Sequence, residues 1–154
     1  MGYEISGALG IKMAKPDQDV VVFVGDGSYL LNNTDIYSSV IYDQKLIIIV
    51  CDNGGHMVIN RLQLAKGGKE YICNLRAARA TNLKFVDFEN HAKSMGANAE
   101  TVSSTSELEA ACKRAKDSDK TYVITIKTHG YEWLGGTAFW ESPTLQDPIT
   151  DNNK

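Results

Sequence analysis

The sequence predicts an α/β domain of three layers, in which a mostly parallel sheet lies between two layers of helices. Three observations lead to this fold class. Runs of β-branched and apolar residues recur along the chain, the runs are apolar on both faces, and amphipathic segments with helical spacing separate them. Strands with two apolar faces are typical of a parallel sheet that helices cover on both sides.

The four predicted strands differ in how clearly the sequence marks them. Three are continuous apolar runs at residues 20–24, 46–50 and 122–126, and a weaker candidate lies at 100–102. Val and Ile dominate the three strong runs, and these residues favour extended backbone in a buried sheet.

The predicted helices lie between these runs, at residues 3–14, 33–43, 88–95 and 106–115. Asn32 is expected to cap the second helix, with Asp35 as its partner in a capping box. Residues 66–84 are less periodic, so we expect a loop or an irregular excursion there.

Length, composition and charge exclude several classes of function. With 154 residues, 43% of them apolar and 23% charged, the chain is expected to form one folded domain. A net charge of −3 without a basic run argues against nucleic acid or an anionic membrane as partner. No signal peptide or membrane-spanning run is visible, and three cysteines without CxxC spacing favour reduced thiols, so a cytoplasmic protein is expected.

The domain is expected to cover residues 1–142 and to be followed by a polar tail, 143–154. Its first helix resembles the middle of a βαβ unit, and no strand precedes it in the sequence. We therefore expect either a piece of a larger protein or one subunit of a split one.

Two polar turns follow the first two strong strands, and they carry the chemistry. Gly25-Asp26-Gly27-Ser28 follows the first strand, and Asp52-Asn53-Gly54-Gly55 follows the second. Neighbouring parallel strands lie roughly 4.8 Å apart, so side chains at both ends can reach one ion. Asp26 and Asn53 offer the hard oxygen ligands that Mg²⁺ takes together with phosphate and water. Glycines beside Asp26 allow close approach of a phosphate.

This motif resembles the pyrophosphate-binding domain of thiamine-diphosphate-dependent enzymes from Gly25 through Gly55. The resemblance implies the corresponding thiamine-diphosphate-binding fold and two cofactors, thiamine diphosphate and Mg²⁺. It also implies that Asp26, the amide oxygen of Asn53 and the backbone carbonyl of Gly55 bind the metal. Two diphosphate oxygens and a water would complete the coordination.

The same resemblance implies roles for further residues. His56 is a candidate catalytic residue that would face the substrate as a proton donor or shuttle, although a plain polar residue at a helix start explains it equally well. Met1 would hold the cofactor in its bent shape. The residues expected to contact the cofactor are Met1, Gly2, Gly25, Gly27, Ser28 and Met57.

Within the family, the segments MGYEISGALGIKMA, CDNGGHMVINRLQ and GYEWLGGTAFWES are most similar to trihydroxycyclohexane-dione hydrolases. That similarity implies a small-molecule substrate whose ring opens by carbon–carbon cleavage in inositol catabolism. Two alternatives stay open. One is the pyrophosphate-binding half of an acetolactate-synthase-like enzyme or a 2-keto-acid decarboxylase, and the other is a non-catalytic, flavodoxin-like binding module.

The resemblance also implies a protein partner. In the family, a glutamate that protonates the cofactor's pyrimidine ring comes from a separate pyrimidine-binding domain, usually on a neighbouring subunit of a homo-oligomer. That domain would belong to the same full-length protein or to a partner subunit. The chain alone is therefore expected to bind the cofactor weakly and to be catalytically inert.

Overall fold

A computed structural model describes residues 1–79, 82 and 84–132 of the chain. Four parallel strands form one sheet in the order β1-β2-β4-β3. The strands are β1 Val21–Gly25, β2 Ile47–Asp52, β3 Asn98–Val102 and β4 Tyr122–Lys127. The helices are α1 Glu4–Ala14, α2 Asp26–Leu31, α3 Asp35–Ile41, α4 Met57–Ala65, α5 Phe88–Ser94 and α6 Thr105–Asp117. The prediction of a three-layer fold around a parallel sheet is confirmed.

Helices cover both faces of the sheet because successive strand residues point to opposite sides. In β2, Ile48 and Val50 pack into a core with residues of α1, α3 and α5. Their neighbour Ile47 packs on the other face, against Ala111 and Ala115 of α6. Fully apolar runs such as this one are therefore explained by two separate cores.

The boundaries of the strands and of four helices agree with the sequence within about two residues, but the predicted cap of α3 is wrong. The helix begins at Asp35, its N-terminal flank is Thr34, and no side chain caps it. Asn32 instead donates from Nδ2 to Ser6 Oγ of α1 at 2.9 Å. A tertiary hydrogen bond has replaced the local one.

The first predicted polar turn is a direct strand-to-helix junction. Gly25 is the last residue of β1, and Asp26 is the first residue of α2, a short helix that the sequence did not predict. The second turn begins one residue later than predicted, because Asp52 still belongs to β2.

Residues 66–79, called the excursion below, form the described part of the segment that was expected to be irregular. They contain a 3₁₀ turn at Leu75–Ala77 and one isolated antiparallel bridge between Asn74 and Gly55. The polar tail and both tryptophans lie outside the described residues. Within the described ranges, no helix is long and apolar enough to cross a membrane.

Candidate functional site

The two polar segments meet at the carboxyl edge of the sheet. Gly25 of β1 pairs with Cys51 of β2, so Asp26 and Asp52 leave neighbouring strands at the same level. Ligands of open parallel sheets bind beyond this edge of the strands. Asp26 and Asn53 are therefore brought together at this edge, as the two polar turns predicted.

Asp26 is buried and points into the second turn. Its side chain is 2% exposed, and its Oδ2 accepts hydrogen bonds from the backbone N–H groups of Gly55 at 2.6 Å and Gly54 at 3.1 Å. Burial raises the pKa of this carboxyl above its ordinary value, and the nearby charge of Asp52 adds to the rise, while backbone hydrogen bonds, chiefly from Gly55, oppose it. A bound cation would lower the pKa of this carboxyl and so favour its charged form.

The amide of Asn53 can take two orientations, and they correspond to two states of the site. With its nitrogen turned inwards, it donates to the carbonyl oxygen of Gly55 at 2.9 Å and to Asp26 Oδ1 at 3.0 Å. Hydrogen bonding among protein atoms favours this orientation. With its oxygen turned inwards, that oxygen faces the Gly55 carbonyl and Asp26 Oδ1, an arrangement that a bound cation would make favourable.

The spacing of these atoms fits Mg²⁺. Oxygens bound at about 2.0–2.1 Å and at right angles around an octahedral Mg²⁺ are separated by about 2.9 Å. The separations of 2.9 and 3.0 Å between the Asn53 amide and the two oxygen atoms are compatible with that value, and they are also the ordinary length of an N–H···O hydrogen bond. Among the described residues no three His, Cys, Asp or Glu side chains form a metal cluster, so this donor set combines one carboxylate with amide and carbonyl oxygens. Such a mixed oxygen set leaves room for phosphate and water.

Two glycines give the second turn its shape. Gly54 and Gly55 have φ angles of 88° and 140°, in the region that side chains disfavour. A Cβ on Gly55 would also collide with the backbone carbonyl oxygen of Cys73 in the excursion. Glycine at position 55 therefore allows both the turn and the close packing of the excursion on it.

Asp52, the last residue of β2, stabilises the second turn through its side chain. Its Oδ1 accepts from the N–H of Gly54 at 3.2 Å, and its Oδ2 forms an ion pair with Lys127 at the end of β4. Asp52 thus caps the turn that follows its strand. Its Oδ2 is engaged by the lysine, so Asp26 is the carboxylate that meets the Asn53 amide.

The residues expected to contact the diphosphate lie around the start of α2. Gly25 has open space where a Cβ would stand, and Gly27 lies directly under the imidazole of His56, whose Nδ1 would be 2.5 Å from a Cβ there. Ser28 is half-buried in the first turn of α2. His56 thus lies at the same edge as Asp26, and its catalytic role stays a prediction.

Met1, Gly2 and Met57 are the remaining residues that were predicted to contact the cofactor. Met1 is 68% exposed, and Gly2 packs against Leu31 and Asn32. That is the opposite end of α2 from Asp26, about 8 Å away along the helix. Met57 is buried and lies beside Gly130. Their contacts with a cofactor therefore stay predictions.

The sequence did not reveal the contribution of the excursion. The backbone N–H of Leu75 donates to the carbonyl of Gly54 at 3.0 Å, and the guanidinium carbon of Arg76 would lie 3.9 Å from a Cβ on Gly54. No local periodicity marks this segment. Its polar residues, especially Asn74, were the only available signal.

With this geometry established, comparison with known proteins identifies the family. Residues 1–126 match the family described as thiamine pyrophosphate enzyme, C-terminal TPP binding domain; thiamine pyrophosphate is another name for thiamine diphosphate. The chain belongs to this family. The flavodoxin-like alternative is therefore wrong.

Relatives with assigned activities agree with the closer resemblance. The chain is 38% identical over 138 residues to the 3D-(3,5/4)-trihydroxycyclohexane-1,2-dione hydrolase of Halalkalibacterium halodurans, covering 86% of this chain and 22% of that protein. It is 37% identical over 156 residues to the hydrolase of the same name from Shouchella clausii, covering 96% of this chain and 24% of that protein. The chain thus spans about a quarter of the length of these relatives.

Solved structures share the fold at lower identity. The thiamine diphosphate-dependent 4-hydroxybenzoylformate decarboxylase of Rhodococcus jostii RHA1 aligns with a TM-score of 0.72 and 23% identity, over 84% of this chain and 23% of that chain. Benzoylformate decarboxylase from Polynucleobacter necessarius gives 0.69 and 22%, with the same coverage. At this identity the likeness shows the α/β fold of the family alone.

Proposed function

We propose that this chain anchors thiamine diphosphate through a Mg²⁺ ion, as part of a longer protein that opens a trihydroxycyclohexane-1,2-dione ring by carbon–carbon cleavage. The observation that carries the proposal is the meeting of the Asn53 amide with the Gly55 carbonyl and Asp26 Oδ1, at 2.9 and 3.0 Å. The hydrolase names of the relatives at 36–38% identity support the reaction. The decarboxylases share only the fold, so they carry no argument about the substrate.

Each residue of the site would have a distinct task. When bound, thiamine diphosphate supplies stabilisation of the carbanionic charge that carbon–carbon cleavage leaves. Asp26 would neutralise part of the Mg²⁺ charge, while Asn53 and Gly55 would set its position. The start of α2 at Gly27 and Ser28 would face the diphosphate, and His56 would face the substrate as a proton donor or shuttle. The pyrimidine end of the cofactor would need a second domain, from the same protein or from the partner subunit of a homo-oligomer.

Calorimetry of the chain with thiamine diphosphate and Mg²⁺ tests the anchor. We expect binding by the wild type and by Asp17→Ala, an exposed carboxylate outside the site, and a loss of at least about a hundredfold in affinity for Asp26→Ala. Equal heats for the wild type and Asp26→Ala would remove Asp26 from the metal site.

Measurement of turnover tests whether catalysis needs a second domain. The chain alone, supplied with both cofactors and the dione, is expected to be inert, whereas the protein that joins it to a pyrimidine-binding domain should open the ring. Product formation by the chain alone would contradict the first expectation. Cleavage of 2-keto acids in place of the dione by the joined protein would contradict the proposed substrate.

A further inference from the structure

One carboxylate in the excursion joins three separate parts of the chain. Glu70 Oε1 accepts hydrogen bonds from Asn60 Nδ2 at 2.9 Å, from Asn74 Nδ2 at 3.2 Å and from the hydroxyl of Tyr131 at 2.8 Å. Asn60 belongs to α4, Asn74 precedes the 3₁₀ turn, and Tyr131 follows β4. Three donors on one oxygen stabilise the charged form, and they lower the pKa of Glu70, with the bond from Asn60 contributing most.

The donors depend on this carboxylate. Asn60 and Asn74 are 0% and 2% exposed, so water cannot readily replace a lost acceptor. Asn74 has further partners: its Nδ2 lies 2.7 Å from the Tyr131 hydroxyl, and its Oδ1 accepts from the N–H of Arg76 at 3.1 Å. The orientation of Asn74 is thus determined on both sides of its amide.

Asn74 in turn packs on the turn that forms the proposed cation site. It pairs with Gly55 in the antiparallel bridge. On one side of it, the N–H of Leu75 donates to the Gly54 carbonyl. On the other, the carbonyl of Cys73 occupies the space where Gly55 would carry a Cβ. The segment that Glu70 anchors therefore holds both glycines whose N–H groups bind Asp26.

We propose that Glu70 is a positioning residue, which keeps the excursion pressed on Gly54 and Gly55 and thereby fixes the Gly55 carbonyl at its place in the cation site. The inference rests on the proposed function, since the cation is the one proposed there. Mg²⁺ requires near-ideal octahedral geometry with short bonds, whereas Ca²⁺ accepts longer bonds and irregular geometry. A rigidly held carbonyl should therefore affect the affinity for Mg²⁺ more than the affinity for Ca²⁺.

Parallel titrations of the chain with Mg²⁺ and Ca²⁺, in the presence of thiamine diphosphate, test this role. Glu70→Ala should weaken Mg²⁺ binding about tenfold or more and Ca²⁺ binding much less, so the ratio of the two affinities shifts towards Ca²⁺. Glu70→Gln, whose amide oxygen can still accept hydrogen bonds, should recover part of the preference. Glu109→Ala, an exposed carboxylate on α6, is the matched control and should keep the wild-type ratio.

A general loss of stability would not change this ratio, and that distinguishes positioning from support of the fold. An unchanged ratio in Glu70→Ala that retains the wild-type circular dichroism would overturn the inference. If Glu70→Ala does not fold, Tyr131→Phe removes one of the three donors at a half-exposed position and should shift the ratio less, in the same direction; no shift there would also overturn it. Wild-type chain that binds neither ion with the cofactor overturns the proposed function itself.

Discussion

At the scale of single residues, the carboxylate of Asp26 is expected to favour binding of a cation but to lower the stability of the cation-free fold. Its carboxylate is buried and has a raised pKa, so the folded protein without a cation holds the charged form at a cost. The two N–H groups of Gly54 and Gly55 compensate only part of that cost. If this position served the stability of the fold alone, a side chain without charge would be favoured there.

The first prediction is that Asp26→Asn makes the cation-free chain more stable. Because the folded-state pKa is raised, the wild type loses stability as pH rises from the ordinary carboxyl range through the folded-state pKa. At pH 7 the variant should melt about 2–4 °C higher, the shift that a change near 1 kcal/mol gives in a domain of this size. The gain should vanish near pH 3.5, where the carboxyl of the wild type is protonated.

Scanning calorimetry between pH 3.5 and 8 measures this difference. Addition of Mg²⁺ and thiamine diphosphate should raise the melting temperature of the wild type and leave the variant unchanged. A variant that melts below the wild type at pH 7 without metal would show that the two backbone hydrogen bonds outweigh the cost of burial.

The second prediction compares two glycines. Gly55→Ala should destabilise the chain by roughly 2 kcal/mol or more, because the turn is left-handed there and Cys73 occupies the space. Gly10→Ala should stabilise it by about 0.5–1 kcal/mol, since Gly10 lies inside α1 with no atom near its Cβ position. Urea unfolding measures both, and a tolerated alanine at 55 would be inconsistent with the packing of the excursion.

At the scale of elements, the edge strand β3 is joined to α6 by side chains. Arg114 donates from Nε and Nη2 to the two oxygens of Glu100 at 2.9 and 2.5 Å, and Tyr122 of β4 donates to the same carboxylate at 2.7 Å. The Arg114 guanidinium is the main cause that lowers the pKa of Glu100. The bidentate geometry aligns a helix with the strand beneath it.

The third prediction is a pH-dependent effect of Glu100→Gln. A depressed pKa means that the carboxylate stabilises the fold above the ordinary carboxyl range, and that this gain is lost as pH falls through the folded-state pKa. The variant should melt about 1–3 °C below the wild type at pH 7, and the difference should shrink as pH falls below the ordinary carboxyl range. High salt should reduce the difference at pH 7, and an effect that is independent of pH would assign it to packing.

At the scale of the whole molecule, the two cores are unequal. The larger one lies under α1, α3 and α5, where Phe88 is 5% exposed. On the face that carries α6, the outer end of the sheet at β1 is left open among the described residues, and Phe23 is 64% exposed. Two phenylalanines of the same chain thus lie in opposite environments.

The fourth prediction uses this contrast. Phe88→Ala should cost about 3–5 kcal/mol, because it leaves a cavity in the larger core. Phe23→Ala should change the stability of this chain by less than about 0.5 kcal/mol, since water already reaches its ring. Urea denaturation of both variants gives the two values, and a large loss for Phe23→Ala would contradict the exposure of its ring.

Much of the architecture was predictable because strands with two apolar faces and helices with one have local periodicities. Four strands and the helices α1, α3, α5 and α6 follow from these patterns, whereas α2 is too short and too rich in glycine to show one. The cap of α3 was mispredicted for a related reason. A local capping rule cannot foresee that Asn32 finds Ser6, 26 residues away, as a better partner.

The sequence by itself determined the fold class, because strands with two apolar faces can be recognised locally. Its two polar turns predicted that Asp26 and Asn53 lie close together, and they carried the resemblance to the family that the comparison then confirmed. Only the tertiary structure decided that Asp26 is buried with a raised pKa and that the Asn53 amide lies 2.9 Å from the Gly55 carbonyl and 3.0 Å from Asp26 Oδ1. It also decided that Glu70 and Asn74, which belong to the excursion, stabilise the turn at Gly54 and Gly55. These features depend on hydrogen bonds between segments up to 61 residues apart, such as the one between Glu70 and Tyr131, and such contacts leave no periodic trace in the sequence.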